Sequence, residues 1–151
     1  MSNWLSRLKK SLSPLSSGAE SEKEADRVLF SVVVLLAEIM HADHQLNSRE
    51  KSVITSILKK YYGMDGSAAS ALFEEADRLL QGPVSLHEHT SLVNDSFDYR
   101  KKLDLINHLW QVAYADDMLD RYEEHLIRKL ADLLHISHRD FIKEKHAALE
   151  S

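Results

Sequence analysis

Carboxylates recur in this chain at a spacing that suits a hard cation. The segment Ala42-Asp43-His44-Gln45-Leu46-Asn47-Ser48-Arg49-Glu50 returns as Ala115-Asp116-Asp117-Met118-Leu119-Asp120-Arg121-Tyr122-Glu123. Both copies read A-D-x-x-L-[ND]-x-x-E, at a constant offset of 73 with no gap. Asp43, Glu50, Asp116 and Glu123 are the shared acids, with Glu38, Asn47, Asp117, Asp120 and Glu124 close by. All are oxygen donors, the kind that calcium, magnesium and manganese take; zinc fits them less well. The loops do not follow the EF-hand pattern, which needs a 12-residue loop with acids at alternating positions and a central Gly.

The same residues have a backbone reading. Asn47 and Asp120 sit where a helix N-cap belongs, with Glu50 and Glu123 three residues on, so each pair spells a capping box. Capping leaves Asp43 and Asp116 unexplained. They lie four residues before the caps, near the C-terminal end of a preceding helix, where an acid opposes the helix dipole. They either hold a cation or a partner, or cap N–H groups of the turn itself.

Histidine gives a second candidate set. There are nine. His41 and His44 flank Asp43 and, with Asp116 or Glu50, have the ligand types of a zinc or nickel site, but no H-E-x-x-H pair supports one. His87 and His89 are two apart and point to different faces of a helix, and His135 and His138 surround a helix start. Solvent-facing or capping roles account for these residues more simply. Among the aromatics, Trp110 and Tyr61 fall at core-facing positions. No Gly-rich phosphate loop or G-x-S-x-G elbow occurs.

The elements that position these residues are helical. The register of the repeat extends beyond the motif, pairing Arg27 with Arg100, Phe30 with Leu103, Leu36 with Leu109, Ile54 with Ile127 and Ile57 with Leu130. A shared register over apolar-periodic flanks indicates a duplicated helix-loop-helix unit. The spacing predicts a first helix from Glu20 to about His41 and a second from the Asn47 cap to a stop at Gly63. A third opens at Asp65 or Ser67 and closes at Gly82-Pro83, and a fourth opens at the Ser85–Glu88 box. The remaining three are Tyr99–Ala115, one capped by Asp120, and one that Ser137 and Asp140 start and that runs through Leu149. No stretch alternates as a strand does. The expected fold is an all-α, single-domain bundle of about seven helices, with two pseudo-twofold helix-loop-helix repeats.

Here the chain resembles the tellurite-resistance protein B (TerB-like) family, in which A-D-x-x-[LI]-x-x-x-E follows an apolar helix in paired helix-loop-helix units. The resemblance spans roughly Glu20 to Leu149 and extends to the N-terminal domain of a membrane-bound DnaJ-type co-chaperone. The chain departs from the family pattern in having Asp43-His44 and Asp116-Asp117 in place of Asp-Gly. Five residues before the Asp it has Glu38 in the first copy but Gln111 in the second. The resemblance implies an all-helical domain, divalent-cation binding through the motif acids, and a link to stress or tellurite response. It implies an adaptor for another protein rather than an enzyme. A metal-dependent hydrolase built on the clustered carboxylates and His41 or His44 is the competing reading.

Bulk properties narrow the classes. Of 151 residues, 44% are hydrophobic and 28% charged, as in an ordinary soluble domain. The net charge of −5 gives no nucleic-acid footprint, and the absence of cysteine excludes disulfides, thiolate metal sites and thiol nucleophiles. Trp4 to Leu15 lacks the continuous apolar core of a secretory signal, and the apolar run Val28–Ala37 is too short to span a membrane. A cytoplasmic protein is expected. Residues 1–19 stand apart as an amphipathic segment and linker. Trp4, Leu5, Leu8 and Leu12 recur near helical spacing among Arg7, Lys9 and Lys10, which suits peripheral contact with the inner membrane face or packing on the chain's own domain. Residues 20–151 form the helical domain.

Overall fold

The computed structural model describes residues 18–42, 48–115 and 120–150. These form seven helices and, among the described residues, no strand. They are α1 (Gly18–Ala42), α2 (Ser48–Lys60), α3 (Gly66–Leu79), α4 (Leu86–Ser96), α5 (Tyr99–Ala113), α6 (Arg121–Leu133) and α7 (His138–Glu150). The expected all-α, single-domain bundle is what forms. Residues 1–17 lie outside the described residues, and with them nearly all of the amphipathic segment; Gly18 and Ala19 already belong to α1.

The core is organised on α1. Val32, Val33, Val34, Leu35, Leu36 and Ala37 are all fully buried, so this stretch of the helix is apolar on every side, as only a central segment can be. Valine disfavours helix by stiffening χ1. Here burial on all faces outweighs that preference, because α2, α3, α4, α5 and α6 all pack against α1. α7 instead packs on α5. Its Phe141 ring lies 5.1 Å from that of Trp110, and its Lys145 ammonium sits 5.3 Å over the same indole.

Local signals set the boundaries. Asp65, Ser85 and Asp98 cap α3, α4 and α5, accepting from the backbone N–H of Ala68, Glu88 and Lys101. Gly63, at φ +70°, ends the turn after α2 in the left-handed region that glycine tolerates best. The corresponding turn after α6 uses His135, at φ 60°. There Ile136 N–H reaches Ala131 O at 2.9 Å and His135 N–H reaches Asp132 O at 3.1 Å, the paired bonds of a Schellman close. Lys102 Nζ donates to Leu134 O and Asn94 Nδ2 to Leu133 O, so two further C-terminal carbonyls of α6 are satisfied from α5 and α4. His135→Gly is expected to raise stability by about 1 kcal/mol in urea unfolding, because a Cβ in the left-handed region costs that much.

α2 and α6 are both 13 residues long, and their bounds differ by the same offset of 73 that relates the two motif copies. The register pairs Leu36 and Leu109, Ile54 and Ile127, and Ile57 and Leu130 are all buried.

Candidate functional site

The two motif glutamates occupy the third position of α2 and of α6, and both Glu50 and Glu123 are fully buried. In the second copy the cap forms as the spacing predicts. Asp120 Oδ1 accepts from Tyr122 N–H at 3.0 Å. Glu123 Oε1 accepts from Asp120 N–H at 3.3 Å, completing a capping box. α2 begins at Ser48, directly after the expected cap Asn47. The loop residues Asp43, His44, Asn47, Asp116 and Asp117 lie outside the described residues. Among the described residues, no three His, Asp or Glu side chains come together as a metal-binding group. Asp120→Ala is expected to cost about 1 kcal/mol in the metal-free chain, the usual loss when an N-cap is removed, measurable by urea unfolding.

The burial is more than a cap requires. A capping box works at a solvent-facing helix end, and Gln serves it as well as Glu. An acid of the same type buried at the same position of both copies puts carboxylate oxygens in a low-dielectric setting. Oxygens so placed attract a cation more strongly than solvated ones. By residue type the motif offers carboxylate and amide oxygens, which would suit calcium, magnesium or manganese.

Other expected ligands are placed differently. Glu38, on the last turns of α1, is half-buried. Burial pushes its pKa up, against the opposing pull of His41 and of Lys129 on α6. His41 Nε2 lies 2.6 Å from Asp77 Oδ1 on α3, so this ring is held by a partner that the motif does not contain. His87 is exposed and His89 buried, on different faces as their spacing requires.

Two polar arrangements were not legible from the motifs. Tyr61 is not a plain core residue; its hydroxyl donates to Asp104 Oδ2 at 2.7 Å, and Tyr62 takes the buried place beside it. Burial and the Asp104 bond together push the Tyr61 pKa up. Arg100 lies 3.5 Å from the same Asp104, and the His108 ring packs edge-on to Tyr61 at 4.7 Å. The i, i+4 spacing of Arg100, Asp104 and His108 on α5 would have revealed this stripe. The second arrangement, Ser31 Oγ and His89 Nδ1 at 2.8 Å, joins residues 58 apart in sequence and carried no local signal.

No helix among the described residues is long and apolar enough to cross a membrane. No curated protein matches the chain, and no solved structure does. Residues 30–146 match the family described as "Tellurite resistance protein TerB", a span that takes in both motif copies, all of α2 to α6 and most of α1 and α7. The chain belongs to the TerB family.

Proposed function

We propose that this TerB-family domain is a non-catalytic helical adaptor whose paired acidic loops bind a divalent cation and present a surface to another protein. Asp43, Glu50, Asp116 and Glu123 would hold the ion, with Glu38 and Asp120 at the edge of the site. Calcium, magnesium and manganese are the fitting ions. The observation that carries the reading is the matched burial of Glu50 and Glu123 at one position of α2 and α6. Tyr122 supports the partner contact. It lies in the first turn of α6, between Asp120 and Glu123, and is 68% exposed. An outward-facing tyrosine is the kind of residue that anchors protein interfaces. The cellular setting we infer is cytoplasmic, and the link to tellurite response rests on the family's description.

Calorimetric titration of the metal-stripped chain with each of the three ions tests the reading. One ion should give a saturable heat that falls at least tenfold in affinity in Glu50→Gln/Glu123→Gln. A titration that is flat for all three ions at millimolar concentration would remove the cation from the account.

A further inference from the structure

A cavity of about 510 Å³ opens between the N-terminal half of α1, α3 and the start of α4. That size suits a small organic ligand. None of the motif acids lines it, so it is separate from the paired loops.

Its lining divides by chemistry. Phe30, Leu72 and Leu92 supply apolar wall. Asp26, Glu75 and Glu88 also line it and are exposed, which puts three carboxylates at its solvent side. Arg27 is the one cation among the lining residues, and its guanidinium is engaged with Glu24 at 3.3 Å. The local field is therefore negative. Ser31 and His89 form the inner polar feature, at 1% and 8% exposure. The His89 ring is held by Ser31, whose Oγ lies 2.8 Å from Nδ1. Burial lowers the His89 pKa, with Glu88 pulling the other way, and the neutral ring does not offset the acids.

We propose that this cavity is a binding site for an amphipathic organic cation. The apolar body fills the space against Phe30, Leu72 and Leu92, and the ammonium or guanidinium head stays at Asp26, Glu75 and Glu88. Apolar burial supplies the affinity. The acids select the charge of the head without having to be desolvated, which is how exposed charges contribute to recognition.

The test uses the full chain and three probes of one chain length: decyltrimethylammonium and decanoate below their micelle-forming concentrations, and decanol below its solubility limit. Methyl NMR follows Leu72, Val84 and Leu92. The cation should bind about fivefold more tightly than decanol, and decanoate more weakly than decanol, as a few exposed charge contacts allow. Glu75→Gln/Glu88→Gln should erase the preference and leave decanol binding unchanged. Leu72→Trp, which fills the cavity, should abolish binding of all three. Should Leu72→Trp fail to fold, the charge variant at two exposed positions still decides. Equal affinity for the three probes overturns the proposal, as do shifts scattered away from these methyls. So does an absence of binding to the full chain, which would mean that the cavity is closed to external ligands.

Discussion

Trp110→Ala is expected to lower the unfolding free energy by about 3–5 kcal/mol, the usual cost of truncating a buried Trp. The indole is fully buried. It stacks on Tyr114 at 6.0 Å, meets Phe141 at 5.1 Å and lies under Lys145. α7 packs mainly on α5, and this ring meets it at Phe141 and Lys145. The loss should reach roughly 6–20 °C in melting temperature for a chain of this size. Trp110→Phe separates the two components of the effect. The indole Nε1 finds no acceptor among the described residues, and a buried donor left in that state costs about 1–3 kcal/mol. Phe keeps an aromatic ring against Phe141 and removes the donor, so it should cost less than half as much as Ala. Urea unfolding of both variants checks this. An Ala variant within about 1 kcal/mol of the parent, below any ordinary Trp→Ala cost, would mean that α7 is held by other contacts.

The second large effect is on acid stability. Burial pushes the His108 pKa down from 6.5 to about 4, with Asp104 pulling the other way. Its ring is 9% exposed and its Nδ1 has no hydrogen-bond partner among the described residues. Above pH 6.5 the ring is neutral whether the chain is folded or not, and it adds no pH dependence. As pH falls from 6.5 toward 4, the unfolded chain takes up a proton that the native state refuses. Stability therefore falls, by roughly 3 kcal/mol over the window. Glu38 and Glu144 work in the opposite direction. Burial raises both, so the destabilisation they cause near neutral pH fades as the solution is acidified. Urea unfolding of the parent and of His108→Leu, between pH 7 and pH 4, isolates the histidine. The variant should lose roughly 3 kcal/mol less on acidification. Equal losses would show that His108 accepts its proton in the folded chain.

The helices were readable because their ends are written in local chemistry. Asp65, Ser85 and Asp120 each sit where a cap is needed, and each makes the predicted bond to the backbone. α1 was readable as a central helix because its apolar run has no polar face to turn toward water. The depth of the motif glutamates was not readable. Glu at the third helical position looks the same whether it faces solvent or core, and only the packing of α2 and α6 into the bundle settles which. The polar seam of Tyr61, Asp104 and His108 shows the same limit. The stripe on α5 can be found by its spacing, but Tyr61 comes to it only through the contact between α2 and α5. The pairing of His41 with Asp77 likewise depends on how α3 lies against α1. It takes up one of the histidines that the sequence offered as a zinc or nickel ligand.

The most direct measurement is thermal melting of the metal-stripped chain across a concentration series of calcium, magnesium, manganese and zinc, beside Asp43→Asn/Asp116→Asn. Binding to the native state alone adds about 2.7 kcal/mol at a hundredfold excess over Kd, roughly 5–10 °C for a chain of this length. Such a rise is expected for one of calcium, magnesium or manganese, absent in the double variant, whose melting temperature without metal stays near that of the parent. No rise with any cation at millimolar levels, or a rise that survives in the double variant, would contradict it.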